Sequence, residues 1–303
     1  MGERDDSGPS RIGIIGGSGV KVADAKPWRV ETPYGDCLLS FLDEAKQLVF
    51  ASRHHCTKVS VESDTAGYAP PHEVNYHALV WALVVEARCT RGIVAFGSTG
   101  SLDPVRVPIG AVVMPDDYYM VRPEPVSFWG NEKVGAFDVP SGGVGKIHLT
   151  PADVLNERWC GFTAEVQAIL APLYAKLSEK VKLAEGQSAQ IWPCVHSIKP
   201  GTTADDSLVY VNTIGPRFET RAEIRAYAKV GHVVGMTCAR EWALAEELQV
   251  PYCLVCVCDN ACNGMSQHPG GALQEYLDHK TAIADVTGAI MHTLVKGLPE
   301  LLA

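Results

Sequence analysis

What this sequence lacks narrows its class before any motif is considered. It has no run of about 18 consecutive apolar residues, so no membrane-spanning helix is expected. Basic residues are outnumbered, 26 Lys and Arg against 35 Asp and Glu, and the net charge is −9. A partner gripped through a broad basic face, whether nucleic acid or an anionic membrane, is therefore not expected. Any anionic ligand has to be held by a local cluster of donors. The leading MGERDDSGPS has no apolar segment of a signal peptide. Asp6 stands where a myristoylation signal needs Ser or Thr. The cysteines fall into no disulfide or zinc spacing: Cys253, Cys256 and Cys258 run along one apolar stretch, with Cys262 just beyond it. The ten cysteines are read as reduced thiols, the protein as cytoplasmic, and no metal is expected.

Apolar material is ample: 47% of 303 residues are hydrophobic and 20% charged. That supports a sizeable core at the upper edge of one domain. Residues 1–10 read as a disordered leader and 11–303 as a single domain. Short β-branched runs predict strands at Arg11–Gly16, Gln47–Ser52, Gly92–Ser98, Ala111–Pro115, Leu208–Asn212, His232–Met236 and Tyr252–Cys258. Helical periodicity follows Pro70-Pro71, where Val74, Ala78, Trp81 and Val85 share a face. Thr150-Pro151 reads as another helix start, and further helices are predicted near 161–183, 219–229, 239–248 and 272–296. The alternation of strand and helix argues for an α/β layered fold around one sheet. Two long polar loops, 56–70 and 185–206, are candidates for functional segments.

Five stretches carry chemistry. In IGIIGGSG a buried strand runs into Gly16-Gly17-Ser18-Gly19, whose backbone N–H groups and Ser18 hydroxyl can curl around an oxyanion. A dinucleotide fingerprint is the rival, but counting from Gly17 and Gly19 the third glycine falls on Val22. Arg53-His54 closes the strand QLVFAS, where a guanidinium fork and an imidazole can meet a phosphate. AFGSTGSL places Gly97 and Ser98 in a second small-residue turn at a strand end. In NTIGPRFETRAE a Gly-Pro turn precedes Phe218, a core residue or a stacking face for a flat ring. GMTCARE brings Met236 and Thr237, and Asp259 ends the apolar strand YCLVCVC. A carboxyl so placed invites a shifted pKa. Each stretch has a plain structural explanation when taken alone.

Together they resemble the trimeric purine nucleoside phosphorylase family, and its 5′-methylthioadenosine phosphorylase branch in particular. The resemblance runs from Ile12 to about Thr281 through IGIIGGSG, SRH, PPHEVNYHALVWAL, GSTGSL, VRPEPVSFWGN, GPRFETRAEIR, GMTCARE and the Asp259 segment. It implies a central twisted mixed β-sheet flanked by helices, a homotrimer, no cofactor, and inorganic phosphate as co-substrate. The reaction it implies turns 5′-methylthioadenosine into adenine and 5-methylthioribose 1-phosphate. Ser18, Arg53, His54, Gly97, Ser98 and Thr237 would hold phosphate. Met236 would lie under the ribose, with Phe218 against the purine and Ala261 beside it. Asp259 would be the catalytic acid or hydrogen-bond partner at the base edge, and His148 would reach the 5′ substituent in a neighbouring subunit.

The chain departs from that pattern in three places. The family's Asp-x-Asp is Asp259-Asn260-Ala261, so its second acid is missing. A neutral Asp259 still suits adenine, donating to N7 and accepting from the 6-amino group. Asn260 and Asn263 stand close by in sequence and would match the oxygen of a 6-oxopurine, so inosine, guanosine and methylthioinosine are the alternative substrates. Arg53-His54 is followed by His55 rather than Gly, and Gly97-Ser98 replaces Thr-Ala or Ala-Ala. A non-catalytic purine-binding homologue is the third reading. The C-terminal helix, with Leu273, Tyr276, Leu277 and Ile283, is a candidate wall for the 5′ pocket, or an ordinary core-facing stripe.

Overall fold

The computed structural model describes residues 9–17, 20, 22, 26–60, 65–121, 126–128, 157–177 and 207–303. Ser18, His148, the helix start at Thr150 and the 185–206 loop lie outside the described residues, as does nearly all of the expected leader.

Among the described residues ten strands form one mixed sheet. They are β1 (Ile12–Gly16), β2 (Pro27–Val30), β3 (Cys37–Phe41), β4 (Leu48–Ser52), β5 (Gly92–Ser101), β6 (Val112–Val113), β7 (Asp117–Met120), β8 (Val209–Asn212), β9 (Val233–Gly235) and β10 (Tyr252–Ala261). The main path runs β2-β3-β4-β1-β5-β9-β8-β7, and β10 pairs with both β5 and β6. β1 is parallel to β4 and β5, with Ile12 opposite Leu48 and Gly92, and β10 lies parallel along nearly the whole of β5. The hairpin β2-β3, the β3-β4 pair and the short β5-β9 contact are antiparallel.

The central strands are apolar on both faces because both are covered. Period-two alternation divides their side chains between two cores. Ile12 and Ile14, Val94 and Phe96, and Val255 and Val257 pack with Phe162, Ile290 and Leu294 on one side. Ile15, Ile93, Ala95 and Leu254 pack with Trp81, Leu83 and Trp242 on the other. Among the described residues the α-helices are α1 (Tyr76–Trp81), α2 (Glu157–Leu177), α3 (Arg221–Tyr227), α4 (Cys238–Glu247) and α5 (Gly271–Gly297). Asn75 caps α1, its Oδ1 accepting from Ala78 N at 3.0 Å, and Pro71 opens the short 3-10 turn before it. Thr220 and Glu223 form a reciprocal capping box on α3.

The structure agrees with the predicted elements in its central strands and helices and departs at the margins. β2, β3 and β7 are not anticipated by sequence pattern. Residues Pro27–Val30 and Asp117–Met120 are short and mostly half-buried or exposed, and CLLSF is a run of only five. Strand pairing by neighbours, not intrinsic pattern, makes them strands. The predicted Ala111–Pro115 shrinks to Val112–Val113. β5 and β10 each run three residues beyond the predicted ends, Ser98 and Cys258, because they pair with each other throughout. Asp259 therefore lies within β10, beside an irregularity between Cys258 and Asn260.

Candidate active site

The strand ends converge on one cavity of about 370 Å³. Arg53 and His54 leave β4, Ser98 to Gly100 lie in the last part of β5, and Met236 with Thr237 link β9 to α4. Phe218 and Glu219 come from the turn before α3, while Asp259, Asn260, Cys262 and Asn263 come from the end of β10. Tyr68, Pro70, Pro71 and Tyr276 complete the walls.

Arg53 forms the floor and is 1% exposed. Its Nε and Nη2 donate to the two carboxylate oxygens of Glu241 at 2.5 and 2.9 Å, and Nη1 donates to Phe96 O at 2.8 Å. Glu241 is fully buried and also accepts from Tyr252 Oη at 2.8 Å. A buried charge is tolerable in such a place only when it is paired and hydrogen-bonded. Three of the five guanidinium N–H groups are thus engaged, which leaves two for a ligand. Gly17 lies against this floor: a Cβ there would sit 2.8 Å from Phe96 O and 2.9 Å from Arg53 Nη1.

His54 is held beside Arg53. Its Nδ1 lies 2.8 Å from Ala69 O, and its ring stacks on Tyr68 with centroids 5.4 Å apart. Burial pushes its pKa down, with the charge of Arg53 acting in the same direction, against the pull of the Ala69 carbonyl. Thr237 occupies the cap position of α4 but makes no side-chain cap bond. The first-turn N–H groups go instead to Tyr210 Oη, 3.4 Å from Cys238 N, and to Asn212 Oδ1, 3.1 Å from Ala239 N. The Thr237 hydroxyl makes no cap bond, and its recorded partner is the weakly bonding Cys238 Sγ at 3.5 Å.

Asp259 is 3% exposed, and burial pushes its pKa up to about 7, although Ser98 Oγ donates a short hydrogen bond to its Oδ2. Glu219 is buried too and accepts from Thr213 Oγ1 at 2.6 Å. Phe218, 40% exposed, meets Tyr276 edge-on at 6.2 Å. The cavity thus offers a guanidinium, an imidazole and hydroxyls, a protonatable carboxyl joined to the Ser98 hydroxyl, a second carboxyl and two amides, beside aromatic faces.

Of the residues expected from sequence, Arg53, His54, Ser98, Thr237, Met236, Phe218 and Asp259 line this cavity together. Gly97 and Ala261 do not. Gly97 turns toward the sulfurs of Cys256 and Cys238, 3.0 and 3.3 Å from where a Cβ would stand. It lines an adjoining cavity of about 270 Å³, which shares Ser98, Asp259 and Tyr276 with the first. Ala261 is displaced by the irregularity in β10, which brings both Asp259 and Asn260 to the cavity, and its N–H goes to Glu275 at 2.8 Å. On the C-terminal helix, Tyr276 is a wall of both cavities and Ile283 of the second, whereas Leu273 and Leu277 are exposed. Sequence reasoning did not single out Glu219, Glu241 or Tyr68. The first two sit inside GPRFETRAEIR and GMTCARE, and a lone acid in a turn or on a helix gives no signal until burial is known. Among the described residues no His, Cys, Asp and Glu cluster could hold a metal ion.

The comparisons with known proteins agree with this geometry. The model of the phosphorylase superfamily matches residues 11–296, so the chain belongs to that family. It is an enzyme of the nucleoside phosphorylase kind, a pentosyltransferase. A probable S-methyl-5′-thioinosine phosphorylase from Methanopyrus kandleri is 30% identical over 259 residues, covering 84% of this chain and 80% of the relative. The 6-oxopurine nucleoside phosphorylase of Pyrococcus furiosus is 31% identical over 264 residues, covering 84% and 81%. In fold, the chain is similar to a mutant adenosine/methylthioadenosine phosphorylase from Schistosoma mansoni in complex with adenine. The TM-score is 0.66 at 24% identity, covering 97% and 93% of the two chains.

Proposed function

We propose that the protein cleaves the N-glycosidic bond of a 6-oxopurine ribonucleoside with inorganic phosphate, releasing the free base and a ribose 1-phosphate, and that 5′-methylthioinosine is among its substrates. The observation that carries this reading is the pairing of Asp259 with Glu219 in one cavity. A 6-oxopurine presents acceptors at N7 and O6 and a donor at N1. Asp259, protonated up to about pH 7, supplies a donor for N7, and the Glu219 carboxyl supplies an acceptor for N1–H. The amides of Asn260 and Asn263 are at hand for O6. The names of the relatives above point the same way.

In this reading Arg53, His54, Ser98 and Thr237 hold phosphate, Ser18 keeps the phosphate-binding role that the resemblance implies, and Gly97 lines the adjoining cavity. Met236 lies under the ribose and Phe218 against the purine. Phosphate oxygen attacks C1′ as the C1′–N9 pair withdraws into the base. Asp259 meets the charge building on the purine by giving its proton to N7. Holding both reactants in line converts a two-body encounter into a local event. The reaction needs no cofactor, because phosphate is the nucleophile. His148 of a neighbouring copy in a homotrimer would complete the 5′ end.

The second reading is 5′-methylthioadenosine. A protonated Asp259 can donate to N7 while its carbonyl oxygen accepts from the 6-amino group, and this single-residue match favours it. Methylthioadenosine, methylthioinosine, inosine and guanosine, each incubated with and without phosphate, decide between the two. Phosphate-dependent hypoxanthine or guanine release, well above adenine release, is expected. Adenine alone would establish the second reading, and binding without release would establish a non-catalytic purine-binding protein.

A further inference from the structure

We propose that His54 selects a tetrahedral oxyanion that carries a proton, accepting that proton at Nε2, so that the site distinguishes phosphate from sulfate. The proposal rests on the phosphate subsite described above and concerns which form of the anion that subsite takes.

The argument starts from the imidazole's fixed partner. Nδ1 stands 2.8 Å from Ala69 O. A carbonyl oxygen can only accept, so Nδ1 carries the hydrogen. In the neutral ring this leaves Nε2 as a lone-pair acceptor. The surroundings favour the neutral ring. The residue is 6% exposed, burial is the largest influence on it, and Arg53 and His55 add like charge. Glu241 and the Ala69 carbonyl pull the other way, but Glu241 is already gripped by Arg53 and Tyr252. Tyr68 stacks on one face of the ring.

An acceptor in a wall that must hold an anion is a mismatch unless the anion brings a donor. Hydrogen phosphate does and sulfate does not. The proton balance of the reaction gives that hydrogen a use. Hydrogen phosphate forms an O–C1′ bond while the C1′–N9 pair departs with the purine. Asp259 passes its proton to N7, and the phosphate hydrogen passes to His54 Nε2, leaving a dianionic sugar phosphate. The resulting imidazolium and carboxylate return to their neutral forms when one proton moves between them through water.

The test uses the whole protein without nucleoside and titrates inorganic phosphate, arsenate and sulfate by calorimetry. Phosphate and arsenate should bind about tenfold or more tighter than sulfate, the size of one unmatched hydrogen bond. In His54→Gln, whose amide can turn to donate, that gap should shrink to about threefold or less, mainly because sulfate gains. Sulfate equal to phosphate in the wild type, or an unchanged gap in the variant, overturns the proposal. Nitrogen-15 spectra of the wild-type imidazole give a readout that needs no variant: hydrogen on Nδ1 with bare Nε2 supports it, and hydrogen on Nε2 in the free enzyme overturns it. If none of the three anions binds, the phosphate subsite itself is wrong and the proposal falls with it. If phosphate binds and sulfate binds equally tightly, only the role of His54 falls.

Discussion

Arg53 and Glu241, 188 residues apart in the chain, form a two-pronged ion pair beneath the cavity, at 2.5 and 2.9 Å. Neither side chain is more than 2% exposed. The pair joins the end of β4 to α4 and cancels most of the charge that Arg53 would otherwise offer to a ligand. The fork presents directed N–H groups rather than a strong field, which suits an anion that must arrive and then leave as an ester.

Removing one member of this pair leaves the other buried and unmatched. Glu241→Ala is expected to destabilise the protein by about 3–5 kcal/mol, with Glu241→Gln less damaging because it keeps one acceptor. Urea unfolding measures this. Full stability in the alanine variant would mean that the ion pair does not hold β4 to α4.

Asp259→Asn should lower kcat by about 10²–10⁴-fold, the usual share of a general acid. Since the acid works in its protonated form, the wild-type rate should hold below pH 7 and fall above it, and the asparagine variant should lose that limb. The stability effect has the opposite sense to that of a salt-bridged carboxylate. The folded pKa, about 7, lies above the ordinary 3.8, so the folded state keeps a proton that the unfolded chain releases. Stability therefore falls as pH rises from 3.8 to 7. Asp259→Asn should gain stability at pH 8, on the order of a few kcal/mol, and gain none at pH 3. Thermal unfolding at the two pH values checks the sign.

Glu219→Gln tests the choice of base. An amide can turn its NH₂ toward adenine N1, so the variant should lose about 10- to 100-fold in kcat/KM for inosine and less, or nothing, for methylthioadenosine. Equal losses on both nucleosides would assign Glu219 to bracing Thr213 rather than to reading the purine.

Gly17→Ala should raise the KM for phosphate far more than that for nucleoside. Its Cβ would press on Phe96 O and Arg53 Nη1, and a backbone oxygen cannot step aside cheaply. Initial-rate kinetics with each substrate varied in turn would show the split.

The central strands and every helix in the described residues were legible because apolar periodicity is a local property, and it survives wherever a segment is buried on one side or both. The edge strands were not. Residues such as Trp28 and Arg29 become strand only by pairing with Leu39 and Leu38. The strand-end residues were legible by a different route: small residues, an Arg-His pair and a carboxyl after an apolar run are unusual at turns. Their order and spacing carried the family resemblance.

From residue order alone came the layered α/β class, the negative balance of charge and the set of turns able to meet an oxyanion and a base. Tertiary structure alone decided that Glu219 joins Asp259, that Glu241 occupies Arg53, and that Gly97 and Ala261 turn away from the main cavity. The reason is physical. Which side chain faces which space depends on strand register and on one irregularity between Cys258 and Asn260. A one-residue shift in a strand reverses the facing of every side chain beyond it, and linear sequence does not record such shifts.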